Sequence, residues 1–317
     1  MSAPFRLAQL SDAHLPLAVP RGADLIGKRG LSAASWLRRR GRQFDGRTAG
    51  VLAADLRAAA PDAIAVLGDV INFSLEREFA AASGWLEALG PAGRVLVVPG
   101  NHEALVAGWR RRVAHWGAYP RGPEGEAWPW ARRMDAIALI AVSTAIATPP
   151  GLATGRVGHG ARARLARLLT DARDAGALPV VLMHHPPTRV TSRRKGLLDG
   201  PAVCRTLADG GAALVLHGHT HHPDLSWIDA PHGRIPVLGV PAFGMAPGGH
   251  EPPGAWNLLE LAPADDGWHV TVHERAITAR REVAAATPFR LRLPAAPLAT
   301  GCQSLIVRSS RTGHAAP

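Results

Sequence analysis

Val97-Val98-Pro99-Gly100-Asn101-His102-Glu103 is the stretch of sequence that decides the fold. An apolar run ends at a Pro-Gly turn, and an amide, an imidazole and a carboxylate follow it directly. In an open α/β sheet, ligands bind outside the carboxyl ends of the strands. The stretch therefore predicts a buried strand that carries ligand-type side chains to one edge of a sheet.

Four other strand-like segments of the chain end in the same way. Each is an apolar run accompanied by Gly or Pro and by Asp or His, which are side chains that bind divalent metals. The four endings are Asp12-Ala13-His14, Gly68-Asp69, His184-His185-Pro186 and Gly218-His219-Thr220-His221. The recurrence predicts one metal site that several loops build together.

The ordered set of blocks resembles the calcineurin-like metallophosphoesterase family. The family pattern is Asp-x-His, Gly-Asp, Gly-Asn-His-Asp/Glu, His-x-Pro and Gly-His-x-His, and every block is present in this order. The resemblance covers residues 5 to 275, and the ordered set is far more specific than any single block. One departure is Glu103, where Asp is commoner in the family.

The fold implied by the resemblance is an α/β four-layer αββα sandwich of two mixed sheets. The βαβ rhythm of the first half independently predicts crossover helices over a largely parallel sheet. Residues 235–240, 255–262 and 268–274 alternate like antiparallel strands, and we expect them to close a second sheet. We assign residues 1–277 to one catalytic domain. Residues 278–317 lack a convincing period, and we expect a partly disordered C-terminal extension there.

Mixed oxygen and nitrogen side chains are the candidate metal ligands: Asp12, His14, Asp69, Asn101, His184, His219 and His221. The set is too large for one transition ion and suits two divalent ions, for which Mn, Fe, Zn and Co are equally compatible. By resemblance, Asp69 bridges both ions, Asp12, His14 and His221 complete one site, and Asn101, His184 and His219 complete the other. His184 is preferred to His185 because the family's ligand stands two positions before the Pro.

The resemblance assigns catalysis to His102 and to the metals. His102 is implied to lie above the ions, oriented by a neighbouring carboxylate, and to act as an acid toward the leaving oxygen. The implied activity is that of a dinuclear metal-dependent phosphohydrolase, in which a hydroxide bridging the ions attacks a phosphodiester or a pyrophosphate. A nuclease and a non-catalytic scaffold on the same fold are the alternatives. The scaffold type has lost ligands that this chain retains, and no nucleic-acid partner is expected because no binding module is recognisable.

Basic residues exceed acidic ones, giving a formal charge of +11, and Lys28 and Lys195 are the only lysines. A genomic bias toward arginine explains this excess as well as an anionic partner does. The segment Trp36-Leu37-Arg38-Arg39-Arg40-Gly41-Arg42 is more informative, because arginines beside apolar residues are typical of membrane-surface or lipid-phosphate contacts. We predict that Arg38, Arg39, Arg40 and Arg42 bind substrate and contact an anionic membrane. The alternative is a solvated helix packed on the domain.

The substrate is predicted only as a phosphate ester, lipid-linked or nucleotide. The Trp- and Arg-rich segment resembles branches that act on lipid-linked substrates, including a UDP-diacylglucosamine pyrophosphatase type. The His-His-Pro-Pro block and the Gly-His-Thr-His-His ending are equally similar to cyclic-nucleotide and glycerophosphodiester phosphodiesterases. Neither resemblance excludes the other.

Cellular location is predicted from composition. No apolar run approaches the length of a bilayer span, and the first strand begins without a signal peptide. Cys204 and Cys302, the only cysteines, argue against a disulfide framework. We therefore expect a cytoplasmic protein, in peripheral contact with the inner face of a membrane.

Overall fold

Two mixed β-sheets face each other, and helices cover the outer face of each. The computed structural model describes residues 3–294 of the 317-residue chain. This arrangement is the four-layer αββα sandwich predicted from the sequence. None of the described helices combines the length and the apolar composition needed to cross a bilayer.

The first sheet has seven strands: β1 (Phe5–Leu10), β2 (Ala63–Val66), β3 (Val95–Val97), β10 (Ala255–Ala264), β11 (Gly267–Ile277), β12 (Val283–Ala285) and β13 (Phe289–Pro294). Its order is β12-β11-β10-β1-β2-β3, and β13 also pairs with β11. Strands β1, β2 and β3 are parallel, whereas β10 joins β1 in antiparallel register with Leu7 opposite Leu259.

The second sheet has six strands: β4 (Trp130–Met134), β5 (Ile137–Ala141), β6 (Leu178–Leu182), β7 (Leu214–His217), β8 (Leu225–Ala230) and β9 (Gly233–Gly239). Its order is β4-β5-β6-β7-β9-β8. The four central strands are parallel, and the edge strands β4 and β8 are antiparallel to their neighbours.

The helices are α1 (Lys28–Ser35), α2 (Gly41–Gln43), α3 (Gly46–Ala59), α4 (Glu76–Leu89), α5 (Trp109–Arg112), α6 (His159–Asp174) and α7 (Gly200–Gly210). Local chemistry sets their ends. Asp45 Oδ1 accepts the Arg47 N–H at the start of α3. The residue after its last turn, Ala60, has a left-handed φ of 46° and precedes Pro61.

Three apolar layers hold the sandwich together. Side chains from both sheets fill the central layer, among them Leu7, Leu67, Leu139, Leu182 and Leu259, all fully buried. Helices α3 and α4 cover the outer face of the first sheet, and α6 and α7 cover that of the second. The central strands are covered on both faces, and successive side chains of a strand point to alternate faces. The sequences of these strands are therefore nearly continuous apolar runs.

The last third of the chain differs from our expectation in its sheet assignment. Strand β9 lies in the second sheet as predicted, but β10 and β11 extend the first sheet beside β1. Strands β12 and β13 then pair with β11, and Leu291 and Leu293 are buried in the central layer. The boundary predicted after residue 277 therefore falls inside the first sheet. The rest of the predicted extension, residues 295–317, lies outside the described residues.

An insertion of residues 16–45 separates β1 from α3. It contains a 3-10 turn (Gly22–Leu25), α1, a π-helical turn (Trp36–Arg40) and α2. Trp36 and Phe44 anchor it in a small apolar cluster with Phe73 and Leu75. Other apolar residues of the insertion are exposed, among them Leu25, Ile26, Leu31 and Leu37.

Replacing Leu293 tests whether strand β13 is part of the domain. The side chain is fully buried between the sheets, so Leu293→Ala should lower the free energy of unfolding by about 2–5 kcal/mol through the cavity it leaves. Chemical denaturation measures the change. Arg290→Ala, on the same strand but exposed, is the control and should change stability by less than about 0.5 kcal/mol. Wild-type stability of Leu293→Ala would show that β13 does not contribute to the core.

Candidate metal centre

Loops from both sheets bring the predicted ligands together at one edge of the sandwich. The Asp12 carboxylate lies 3.1 Å from His221 Nε2 and 3.7 Å from His14 Nε2. The Asp69 carboxylate lies 3.4 Å from His184 Nε2 and 3.9 Å from His14 Nε2. Strands β1 and β2 of the first sheet and β6 and β7 of the second therefore meet at this cluster.

The remaining two predicted ligands join the same cluster. Asn101 Oδ1 lies 3.3 Å from His184 Nε2. The His219 ring packs against that of His184 with centroids 5.0 Å apart, and its backbone N–H donates to Asp12 Oδ2 over 2.9 Å. His219 Nε2 is hydrogen-bonded to the Lys195 carbonyl at 2.8 Å. All the ligands predicted from the sequence are thus neighbours.

Donor atoms approach one another in overlapping groups. Those of Asp12, His14 and His221 lie within 4.8 Å of one another, and so do those of Asp12, Asp69 and His184. The donors are carboxylates and imidazoles, and buried His14 Nδ1 has no hydrogen-bond partner among the described residues. A donor set of carboxylate oxygens and imidazole nitrogens fits divalent transition ions.

The turns that present these ligands are strained. Five ligand residues have left-handed backbone conformations, with φ of 56° at Asp12, 44° at His14, 52° at Asp69, 69° at His219 and 61° at His221. Non-glycine residues adopt this region rarely, and each costs of the order of 1 kcal/mol or more. Strain concentrated on one cluster is typical of a functional site.

Two glycines allow the turns to approach so closely. A Cβ at Gly100 would collide with the Asp69 carboxylate, and a Cβ at Gly218 would collide with Ser11 and Asp12. Close packing rather than backbone conformation therefore requires glycine at both positions, since neither has a positive φ.

Glu103 is buried beside the candidate metal ligands and holds the loops that carry Asp69 and Asn101. Its Oε2 accepts the N–H groups of Asp69 (2.9 Å) and Gly100 (2.7 Å), and its Oε1 accepts those of Val70 (2.9 Å) and Ile71 (3.2 Å). Burial and the neighbouring Asp69 carboxylate raise the pKa of Glu103 to about 7. In the sequence, Glu103 stands out only as a departure from the family pattern. The spacing of residues in a motif does not show which groups a given side chain contacts.

Buried charges set the protonation of the cluster. Although burial opposes it, the Asp69 carboxylate raises the pKa of His184 to about 9. Burial and the charge of Arg40 lower the pKa of His14 well below its usual value. Because imidazole binds a metal only in its neutral form, protons and metal ions compete for the nitrogen of His184.

His102 lies beside the ligands, with both ring nitrogens engaged. Its Nδ1 is 2.6 Å from the Asn72 carbonyl, and its Nε2 is 2.8 Å from Arg40 Nη1. We expected a carboxylate to orient this ring, and a backbone carbonyl takes that place among the described residues. Burial and the Arg40 charge lower the pKa of His102 to about 4.

Only one of the four predicted arginines reaches the cluster. Arg40 ends the π-helical turn, and its guanidinium contacts His102 and lies 3.0 Å from His14 Nε2. Arg38 and Arg42 are exposed. Arg39 is also exposed, 4.0 Å from Glu251 at the rim of a cavity of about 310 Å³ over the ligands. The sequence could not separate these residues, because a π-helical turn shifts which side chains face the domain.

Other histidines near the cluster have structural partners. His185 hydrogen-bonds to Thr144 Oγ1 (2.7 Å) and to the Ala153 carbonyl (3.2 Å), although its donors lie near those of His184 and His219. His217 is hydrogen-bonded to Asp224 Oδ1 at 3.1 Å. The partners of His185 are thus groups outside the candidate ligand set, whereas His184 Nε2 faces Asn101 and Asp69.

Known proteins share both the sequence pattern and the fold. A family model described as calcineurin-like phosphoesterase matches residues 5–223. A sequence comparison with curated proteins found no significant match.

Solved structures with the same fold include phosphatases. A dimetal phosphatase from Danio rerio is 14% identical, with a TM-score of 0.59 and coverage of 90% of this chain and 99% of that one. Purple acid phosphatase PPD1 from yellow lupin is 12% identical with a TM-score of 0.59, covering 92% of this chain and 54% of that one. GAP50 of Plasmodium, described as the anchor in the inner membrane complex, is 12% identical with a TM-score of 0.50, covering 94% and 91%.

Replacing Glu103 tests its role in holding the site. In Glu103→Gln, an NH₂ group would face two backbone N–H groups that now have an acceptor. The free energy of unfolding should fall by about 1–3 kcal/mol, and the metal content of the purified protein should fall with it. Denaturation and elemental analysis measure the two effects. Glu76→Gln, at an exposed position near His115, should change neither. Unchanged stability and metal content in Glu103→Gln would contradict this role.

Proposed function

This chain belongs to the calcineurin-like phosphoesterase family, and we propose that it uses two divalent ions to hydrolyse a phosphodiester or pyrophosphate bond. The family makes it a metal-dependent phosphohydrolase that acts on phosphate esters. The observation that carries the dinuclear proposal is the position of Asp69. Its Oδ2 lies 3.9 Å from His14 Nε2 and 3.4 Å from His184 Nε2, so this carboxylate is near a member of each proposed ligand set and could serve two ions.

The residues proposed to hold the ions are those predicted from the sequence. Asp12, His14 and His221 would hold one ion, Asn101, His184 and His219 would hold the other, and Asp69 would be shared. Two divalent ions in such a site activate water and withdraw negative charge from the phosphoryl oxygens. The metal identity, Mn, Fe, Zn or Co, is left open by this donor set.

His102 is proposed to donate a proton to the leaving oxygen. Its Nδ1 is held by the Asn72 carbonyl, so Nε2 is the nitrogen that faces the cavity. The present low pKa of His102 reflects burial and the adjacent Arg40 cation. A bound phosphate that pairs with Arg40 adds negative charge beside Nε2. This charge raises the pKa of the His102 ring toward neutral pH, where the ring can hold and donate a proton.

Arg40 is proposed to bind the substrate phosphate. Its guanidinium points at the ligand cluster, and its two contacts there are neutral imidazole nitrogens rather than carboxylates. Burial lowers the pKa of this arginine but leaves it charged. A phosphate oxygen would give this cation the anionic partner that the described residues do not supply.

Hydrolysis of an aryl phosphodiester tests the proposal. We expect purified protein to cleave bis(p-nitrophenyl) phosphate, to stop when a chelator removes its metals, and to recover when one of the four candidate metals is restored. His102→Ala should keep its metals and lose turnover by roughly 10²–10⁴, the usual contribution of a positioned acid.

Asp69→Asn provides the comparison, because a ligand shared by both ions should be needed for both. Elemental analysis should show that this variant loses both metals together with its activity. Active protein with a single metal would refute the dinuclear proposal, and metal loss in His102→Ala would refute the role given to His102. His269→Ala, at an exposed position, controls for the loss of an unrelated histidine.

The insertion supports a second proposal, a contact with an anionic membrane. Leu25, Ile26, Leu31 and Leu37 are exposed, with relative accessibilities of 46%, 77%, 60% and 66%. Exposed arginines 38, 39 and 42 flank them. Apolar side chains beside arginines suit the boundary between acyl chains and anionic headgroups. On this proposal the protein works in the cytoplasm, at the inner face of a membrane.

Neutralising the exposed arginines tests the membrane proposal. Arg38, Arg39 and Arg42→Gln together should weaken binding to anionic liposomes at low salt, because each arginine near such a surface contributes about 1 kcal/mol. Sedimentation with phosphatidylserine vesicles measures the binding, and high salt should weaken it for the wild type.

A matched triple variant controls for the change in net charge. Arg133, Arg167 and Arg205→Gln removes the same charge from exposed positions outside the insertion and should bind vesicles as the wild type does. Equal binding by the wild type and both variants would leave the insertion as ordinary solvated surface.

A further inference from the structure

A second cavity of about 550 Å³ opens directly from the metal centre. It lies between helix α1 and the loops of residues 151–153 and 192–195. Arg40, Asn101, His102 and Lys195 line both this cavity and the one over the ligands. A molecule with one phosphoryl group at the metal ligands would therefore extend its next group into this space.

The lining of the second cavity is cationic. Lys28, Arg40, Arg194 and Lys195 line it, and none of its described lining residues is acidic. Both lysines of the chain are among them. The cavity over the ligands differs, because Asp69 and Glu251 contribute to it.

The cations of the second cavity lack acidic partners. Within residues 3–294, none of Lys28, Arg194 and Lys195 forms an ion pair with a carboxylate. Half-buried Lys28 donates from Nζ to Thr148 Oγ1 (2.6 Å) and to the Leu152 carbonyl (3.0 Å). The third N–H of its ammonium group has no acceptor among the described residues. Burying a cation without an anion is unfavourable, and burial lowers the pKa of Lys28 accordingly. An anionic ligand would remove this cost.

We infer that the second cavity binds a second phosphoryl group, linked through a bridging oxygen to the one at the metal ligands. This inference rests on the proposed function and narrows it, from phosphodiester or pyrophosphate to a pyrophosphate bond. Lys28, Arg194 and Lys195 lie beside the first phosphoryl position. A neutral ester group there would give these cations no anionic partner, whereas the second phosphate of a diphosphate would. Leu31, Leu105 and Leu152 line the same cavity and would contact the group esterified to the second phosphate.

The cations also have a place in the reaction. Hydrolysis adds the oxygen of water to the first phosphorus and breaks the bond from that phosphorus to the bridging oxygen. The electron pair of the broken bond stays on the bridging oxygen, which takes a proton from His102 and leaves with the second phosphate. One proton of the water restores His102, and the other is released to solvent. Lys28, Arg194 and Lys195 are positioned to stabilise the charge that develops on the leaving phosphate.

Two substrates with the same aryl groups test the inference. Bis(p-nitrophenyl) phosphate has one phosphorus, whereas P1,P2-bis(p-nitrophenyl) diphosphate has two, and chromatography follows the products of both. The ratio of kcat/KM for the diphosphate to kcat/KM for the phosphodiester should fall roughly tenfold or more in Arg194→Gln/Lys195→Gln, because charge-assisted contacts to the second phosphate are lost.

A control variant from the same loop isolates the effect. Arg189→Gln/Arg193→Gln removes the same charge from exposed residues that do not line the cavity. Its ratio should equal that of the wild type. An equal loss of activity on both substrates in Arg194→Gln/Lys195→Gln would overturn the inference and leave the phosphohydrolase proposal in place.

Binding without turnover separates the two proposals. Calorimetry of the metal-loaded protein measures the affinity for methylenediphosphonate, which is not hydrolysed, with methylphosphonate as the single-phosphorus comparison. Arg194→Gln/Lys195→Gln should bind the diphosphonate at least about tenfold more weakly than the wild type does, and the control variant should not. Equal affinities would contradict the second phosphoryl position. A different result would contradict the proposed function instead. In that case the wild type binds the diphosphonate more tightly than Arg194→Gln/Lys195→Gln does, yet hydrolyses neither substrate with any metal.

Discussion

The site depends on one buried carboxylate. Glu103 accepts hydrogen bonds from the N–H groups of Asp69 and Gly100, so one side chain ties the loop after β2 to the loop after β3. Asp69 has a left-handed backbone and stands so close to Gly100 that no Cβ fits there. A turn with this strain persists only when surrounding contacts determine its shape. Because Asp69 is the proposed shared ligand, the geometry of both metal positions rests on these hydrogen bonds.

Packing between the sheets completes what Glu103 begins. The first sheet presents Asp12 and Asp69 at the carboxyl ends of β1 and β2, and the second presents His184 and His219 at those of β6 and β7. The central apolar layer aligns the two sheets, so these four strands end at the same edge of the sandwich. Neither sheet alone holds a full ligand set. The site is therefore a product of the whole domain, including strand β10, which joins β1 from the far end of the chain.

The distribution of charge separates two regions of the site. Carboxylates and imidazoles are buried together at the metal ligands, where Asp69 raises the pKa of His184. Cations surround that cluster: Arg40 from the insertion, and Arg194 and Lys195 from the loop after β6. A metal-binding centre bordered by cations suits an anionic substrate, because the metals and the basic rim both attract negative charge. The structure thus shows where some of the excess basic residues lie, which the net charge of the chain does not show.

The sequence by itself determined the fold class and the candidate ligands, because both depend on local patterns. Apolar runs that end in Asp, Asn or His show which strands are buried and which side chains stand at their carboxyl ends, and the structure brings all of those side chains together. Only the tertiary structure decided the contacts between segments distant in sequence. It assigned β10, β11 and β13 to the first sheet, replaced the expected carboxylate at His102 with the Asn72 carbonyl, and selected Arg40 from four similar arginines. Strand pairing and the direction of a side chain at a π-helical turn depend on what packs against them. The residues of a segment taken alone do not contain that information.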